Sequence, residues 1–148
     1  LCGGRKNWNM EIINERPHTD GTMENYCIVK ADAACIIKAV GNIPKGSYGS
    51  ESHQKSRVLT MSDRHSSEVV PILYIDENDV KASHAMTLGQ PDADQLYYLQ
   101  TRGLNLEQAL GLMSIGYFLP VIEQIANKDL REQIQCRVEE KVGLYGHQ

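Results

Sequence analysis

Along the first ninety residues the apolar positions fall in short runs: Ile12 and Ile13, Tyr26 to Val29, Ala33 to Ile37, Ala39 and Val40, Val58 and Leu59, then Val69 to Ile75. Turn chemistry separates them, as in Asp20-Gly21, Gly41-Asn42, Pro44-Lys45-Gly46 and Asp76-Glu77-Asn78-Asp79. Many of the runs are rich in Ile and Val, whose branched side chains suit a pleated surface, and the pattern predicts many short strands. Two segments resemble each other at an offset of 31 residues: Ile28-Val29-Lys30-Ala31-Asp32 and Leu59-Thr60-Met61-Ser62-Asp63 each run apolar residues into a small residue and an aspartate. Stacked coils of strand give such self-similarity, but a sandwich shows the same short runs, and periodicity leaves both open.

After Pro91 the spacing becomes helical. Asp92 stands three residues before Gln95, and Asn105 three before Gln108, the pattern in which a side chain accepts from free amides of the first turn. The first helix is expected to run to about Arg102, with Leu96, Tyr97 and Leu99 on its apolar face and Gly103 ending it. The second carries Leu106, Ala109, Leu110, Met113, Tyr117, Val121 and Ile125 at spacings of mostly three and four, with Gly116 and Pro120 expected to kink or split it. The third starts after Asn127 and places Leu130, Ile134, Val138 and Val142 four apart until Gly143. Strands and helices are segregated, which argues for an antiparallel or coiled β part with a helical appendage rather than a doubly wound sheet.

Composition narrows the functions. The 15 basic and 19 acidic residues are interspersed and sum to −4, so no basic footprint for a phosphate backbone is present and nucleic acid is not an expected partner. The best apolar stretch, Ala109 to Ile125, is interrupted by polar residues, and no membrane span is expected. Cys2, Cys27, Cys35 and Cys136 are spaced 25, 8 and 101 residues apart, which matches neither a zinc pair nor a dense disulfide framework; a reducing, cytoplasmic setting is the simplest. The 148 residues open on Leu1 with no secretory leader, and read as a piece of a longer protein.

The stretch Asp79-Val80-Lys81-Ala82-Ser83-His84-Ala85-Met86-Thr87-Leu88-Gly89-Gln90, followed by Asp94-Gln95-Leu96-Tyr97-Tyr98-Leu99 and Thr101-Arg102-Gly103-Leu104, resembles the signature of the SufB/SufD family of iron–sulfur cluster assembly proteins, closest to its SufD branch. What the resemblance implies is a mainly β chain with α: part of a right-handed parallel β-helix over residues 1–90, then a small C-terminal helical domain over 91–148. It implies a scaffold without a reaction of its own, paired through the strand Val80-Lys81-Ala82-Ser83-His84-Ala85-Met86-Thr87-Leu88 with a SufB-like or SufD-like paralogue, or with itself as a homodimer when isolated. It also implies a SufC-like ATPase docked on the helices, for which Leu110, Met113, Tyr117, Phe118 and Val121 are the candidate contacts.

His84 matches the family histidine, and imidazole can ligate iron or shuttle a proton. A histidine ending a strand is also commonly plain hydrogen-bonded structure. No cofactor is expected on this chain alone; a cluster would be held only within the complex. Ala82 stands where SufD-like relatives tend to have cysteine, Lys55, Ser56 and Arg57 supply no thiol, and Ala85 replaces the glutamate of SufB proteins; the last two departures side with SufD. Cys27 and Cys35 lie in apolar runs and read as core residues, Cys136 as a surface thiol, and His53 and His65 lack a third ligand at a useful interval. Ser52 and His53, adjacent on a strand, point to opposite faces and cannot make a hydrolytic pair. The rivals are a carbohydrate-active enzyme on a β-solenoid and a self-associating β module without a cluster role.

Overall fold

Six strands precede three helices in the computed structural model, which describes residues 4–143. The strands are β1 (Arg5–Ile13), β2 (Asp20–Val29), β3 (Ala33–Ile43), β4 (Ser50–Thr60), β5 (His65–Ile75) and β6 (Val80–Gly89); the helices are α1 (Ala93–Thr101), α2 (Leu106–Ile122) and α3 (Lys128–Val142). Consecutive strands go to opposite layers, giving two three-stranded sheets ordered β1-β3-β5 and β2-β4-β6. Every pairing is parallel, and partners lie 29 to 32 positions apart, as in Asn7 with Ile36, Ile28 with Leu59, Ile37 with Val69 and Gln54 with His84. The faint self-similarity between Ile28 and Leu59 is therefore a register: the two residues are neighbours on adjacent strands.

The expectation of a right-handed parallel β-helix is corrected by this topology. The described residues show two parallel three-stranded sheets and three helices and no β-helix solenoid. The coarser part of that reading, mainly β with α, is what agrees with the structure. The antiparallel option fails as well, since all four ladders are parallel.

Both layers contribute to one core, in which Cys27 and Val29 of β2 and Val58 of β4 meet Ala33, Cys35 and Ile37 of β3. The inward face of β4 is otherwise polar: Ser50, Ser52, Gln54, Ser56 and Thr60 are all buried. Burying such groups is tolerable only if they find partners. Asn25 Nδ2 donates to Ser56 Oγ at 3.1 Å, Ser50 Oγ donates to the Arg16 carbonyl at 3.0 Å, and Thr60 Oγ1 donates to the Gly89 carbonyl at 3.2 Å. Gln54 crosses to the other sheet, its Nε2 donating to the Ile72 carbonyl at 3.0 Å. Gly41 leaves the room for that crossing, because a Cβ there would stand 2.7 Å from Gln54 Nε2 and 3.0 Å from both Leu73 Cδ2 and Ser52 Oγ.

The turns between strands are stacked by their own bonds. Asp32, at φ +59° between β2 and β3, donates its amide to the Arg64 carbonyl, and its carboxylate meets the Arg64 guanidinium at 3.3 Å. Pro71 sits inside β5, where pairing with β3 nevertheless continues on both sides of it.

The helix boundaries follow the predicted caps. Asp92 accepts from the Gln95 amide, Asn105 and Gln108 form a reciprocal capping box, and Asn127 accepts from the Leu130 amide. Gly103 and Gly143 both take positive φ just past helix ends, as a residue without Cβ does most easily. The expected break in α2 does not occur: the helix runs unbroken through Gly116 and Pro120 to Ile122. Pro120 gives up the amide bond to the carbonyl of Gly116 without ending the helix.

Gly41→Ala should destabilise the chain by about 1–3 kcal/mol, because the added carbon displaces the Gln54 amide from its bond to Ile72. In a Gln54→Ala background the same substitution should cost clearly less, a coupling that urea unfolding of the four variants measures.

Candidate functional site

Strand β6 is the outer strand of its sheet, hydrogen-bonded to β4 on one side only. Parallel pairing copies the pleat from strand to strand, so the register partners of the buried β4 residues Ser50, Ser52, Gln54, Ser56 and Val58 share their face. Those partners are Val80, Ala82, His84, Met86 and Leu88. In β4 this face is interior; in β6 it is open, with Met86 at 53% and Leu88 at 50% exposure and His84 exposed between them. Strand β5 ends the other sheet in the same way, leaving Tyr74 and Ile75 exposed. The result is an uncovered layer of core-type side chains flanked by two backbone edges, the kind of surface that recruits another chain.

The opposite face of β6 is tied to β4 by polar contacts. Lys81 Nζ meets Glu51 Oε1 at 2.6 Å, Ser83 Oγ and His53 Nδ1 are 2.8 Å apart, and His53 Nε2 lies 3.4 Å from Glu51 Oε2. The hydrogen bond from Lys81, followed by the one from His53, holds the Glu51 carboxyl below its ordinary value, and Glu51 in turn raises Lys81. Ser52 and His53 do point apart, Ser52 fully buried and His53 half-buried on the outer face. It is Ser83, thirty residues further on, that the register delivers to His53. That pairing was hidden from a reading of adjacent residues.

The His84 side chain makes no hydrogen bond or ion pair among the described residues. Its strand contributes one imidazole and no thiol, whereas iron–sulfur clusters are held chiefly by several cysteine thiolates, so β6 can supply at most part of a ligand set. Among the described residues no group of three or more His, Cys, Asp and Glu side chains is placed to hold a metal. Cys27 and Cys35 are buried in the core and Cys136 is exposed on α3; Cys2 lies outside the described residues.

The helical candidates divide by position. Tyr117 of α2 packs edge-on against Tyr26 of β2 and against Phe118, with ring centroids 5.6 and 5.8 Å apart. Its hydroxyl lacks a hydrogen-bond partner, and burial pushes its ionisation far above the ordinary tyrosine value, with nearby Cys27 adding to the effect. Phe118 and Val121 line a cavity of about 380 Å³ against Trp8, Met10 and Cys27, while Leu110 lines one of about 530 Å³ with Ile28, Met61 and Val142. Met113 is half-buried. Leu110, Tyr117, Phe118 and Val121 thus border the β core. The apolar residues left to solvent are Tyr97 and Tyr98 on α1, Leu106 and Leu112 on α2, and Leu130 on α3. None of the described helices is long and apolar enough to cross a membrane.

The described residues thus make a parallel β core with open outer strands and a helical appendage. Residues 5–117 match the family model described as SUF system FeS cluster assembly, SufBD core domain, and the chain belongs to this family. It is 34% identical over 137 residues, 93% of its length, to the iron–sulfur cluster assembly protein SufD of Bacillus subtilis, of which it covers 31%. It is 29% identical to an iron–sulfur cluster assembly SufBD family protein of Synechocystis, with 85% of this chain and 29% of that protein covered. Against the chloroplastic protein ABCI7 of Arabidopsis thaliana it is 28% identical, with 86% of this chain and 27% of that protein covered. The chain spans less than a third of the length of these relatives.

Lowering of the Glu51 carboxyl means that its contribution to holding β6 is present above its unfolded value of about 4.5 and is lost as pH falls through the lower folded value. Raising of Lys81 places its contribution below the ordinary lysine value and removes it as pH climbs past the raised one. An NMR titration of the Glu51 side chain should therefore show a midpoint below 4.5 that moves back towards it in Lys81→Met; an unmoved midpoint would count against the contact.

Proposed function

We propose that this chain is the pairing and docking part of an iron–sulfur cluster assembly scaffold, without a reaction of its own. The relatives' names supply the process, and the uncovered layer on β6 is the observation that carries the reading. An edge strand whose interior-type residues Met86 and Leu88 are half exposed is unfavourable alone and favourable against a matching strand. A SufB-like or SufD-like paralogue, or a second copy of this chain, offers that match. His84, lying between Ala82 and Met86 on the open face, then stands at the junction, where its imidazole can meet a cluster, the cargo of the complex, whose thiolates come mainly from the partner.

The helices give the second contact. A SufC-like ATPase is the partner proposed for them, and its nucleotide-driven movement would reach the core through α2, whose Tyr117 is wedged on Tyr26 while Arg57, the register neighbour of Tyr26, lies over the same ring. The candidate contacts Leu110, Met113, Tyr117, Phe118 and Val121 act in this reading mainly by fixing α2. The exposed Tyr97, Tyr98 and Leu112 offer the outward anchors.

Three variants test the parts separately. Met86→Lys should lower association with the paralogue by at least tenfold, read by analytical ultracentrifugation, while leaving the thermal midpoint within a few degrees. His84→Ala should leave pairing intact and reduce cluster formation in the full complex, read from iron content and visible absorption under anaerobic conditions; unchanged iron loading would remove His84 from the site. Deleting residues 105–148 should abolish co-purification of the ATPase, and retained binding would overturn the docking half of the proposal.

A further inference from the structure

The two buried thiols of the core are in contact. Cys27 Sγ and Cys35 Sγ lie 3.7 Å apart, on β2 of one sheet and β3 of the other, at 3% and 1% exposure. They face each other because the three-residue turn Lys30-Ala31-Asp32 carries the chain from one layer straight to the other, with Asp32 in the left-handed conformation. The two sulfurs are within van der Waals contact, and a disulfide would bring them to about 2.05 Å. Cys27 also lines the 380 Å³ cavity beneath α2, together with Trp8, Met10, Phe118 and Val121, so one of the two cysteines borders a space large enough for a small molecule.

We propose that Cys27 and Cys35 form a redox-responsive dithiol that closes to a disulfide between β2 and β3 when a peroxide-class oxidant enters through that cavity. The step balances. One sulfur attacks hydrogen peroxide and becomes a sulfenic acid as the first water leaves; the second sulfur then attacks the first, expelling hydroxide, which takes the remaining thiol proton and departs as the second water. Two thiols are oxidised to one disulfide and one peroxide is reduced to two waters. The bond joins the two sheets beneath α2, since Cys27 borders the same cavity as Phe118 and Val121 of that helix.

The experiment uses the whole chain carrying Cys2→Ser, exposed in its native state to hydrogen peroxide raised until the surface thiol Cys136 is modified, then blocked with an alkylating agent and digested with trypsin. Because Lys30 lies between the two cysteines, a disulfide leaves two tryptic peptides joined, and one of them is released by reductant. The expected product is the Cys27–Cys35 pair, lighter than the reduced chain by two hydrogens, in a protein whose thermal midpoint is raised by a few degrees. Separate, alkylated Cys27 and Cys35 peptides beside an oxidised Cys136 would overturn the proposal. So would a linkage of either residue to Cys136, or a linked chain that unfolds at a lower temperature than the reduced one.

Discussion

Parallel pairing at a near-constant offset is the constraint from which the rest of this molecule follows. Because side chains alternate along a strand and adjacent parallel strands keep the same phase, the choice of what faces inward at Cys35 and Ile37 is passed to Ser67 and Val69. The same holds in the other sheet, where Cys27, Val58 and Leu88 stand in one row. The row is buried at its first two members and half exposed at the third. Exposure at β6 is thus not a local accident of sequence; it is an interior position at the last layer of the stack.

The polar inward face of β4 is the second consequence. A two-layer core filled only with aliphatic side chains would be indifferent to small slips along the strands. Hydrogen bonds from Asn25 to Ser56 and from Gln54 to the Ile72 carbonyl are directional, and they tie β2, β4 and β5 at fixed heights. The cost shows at Ser52 Oγ and Gln54 Oε1, which are buried without partners. Both sit beside Gly41, where the backbone makes its closest approach to them.

The helical end was the most legible part of the sequence, because capping is a local matter: Asp92, Asn105, Asn127 and the terminal glycines act on neighbours within three or four positions. The strands were legible where they carried Ile and Val. Most of β4 was not, since Ser-Glu-Ser-His-Gln-Lys-Ser-Arg shows no apolar alternation and its burial depends on partners far along the chain. The single apolar clue to the pairing was the 31-residue echo between Ile28 and Leu59, which is indeed a register. Layer arrangement escaped the sequence for the same reason, and the coiled β-helix suggested by resemblance gave way to two parallel sheets. At the site, the strand around His84 was singled out from its motif, whereas the meeting of His53 with Ser83 depends wholly on register. Proline at position 120 misled because the single bond it forgoes, to the carbonyl of Gly116, is one of many that hold a 17-residue helix.

Pro71 carries a consequence for the outer edge of β5. Since β5 keeps its ladder with β3 through Val70 and Ile72, the donor that proline lacks belongs to the side of β5 turned away from β3. The two outer strands at this end of the sheets are therefore unequal: β6 offers an uninterrupted row of amides over Val80–Gly89, and β5 has a gap in the middle of its row. An incoming strand finds a full complement of donors at one margin and a defect at the other. Edge-to-edge pairing is therefore less favourable along β5 than along β6.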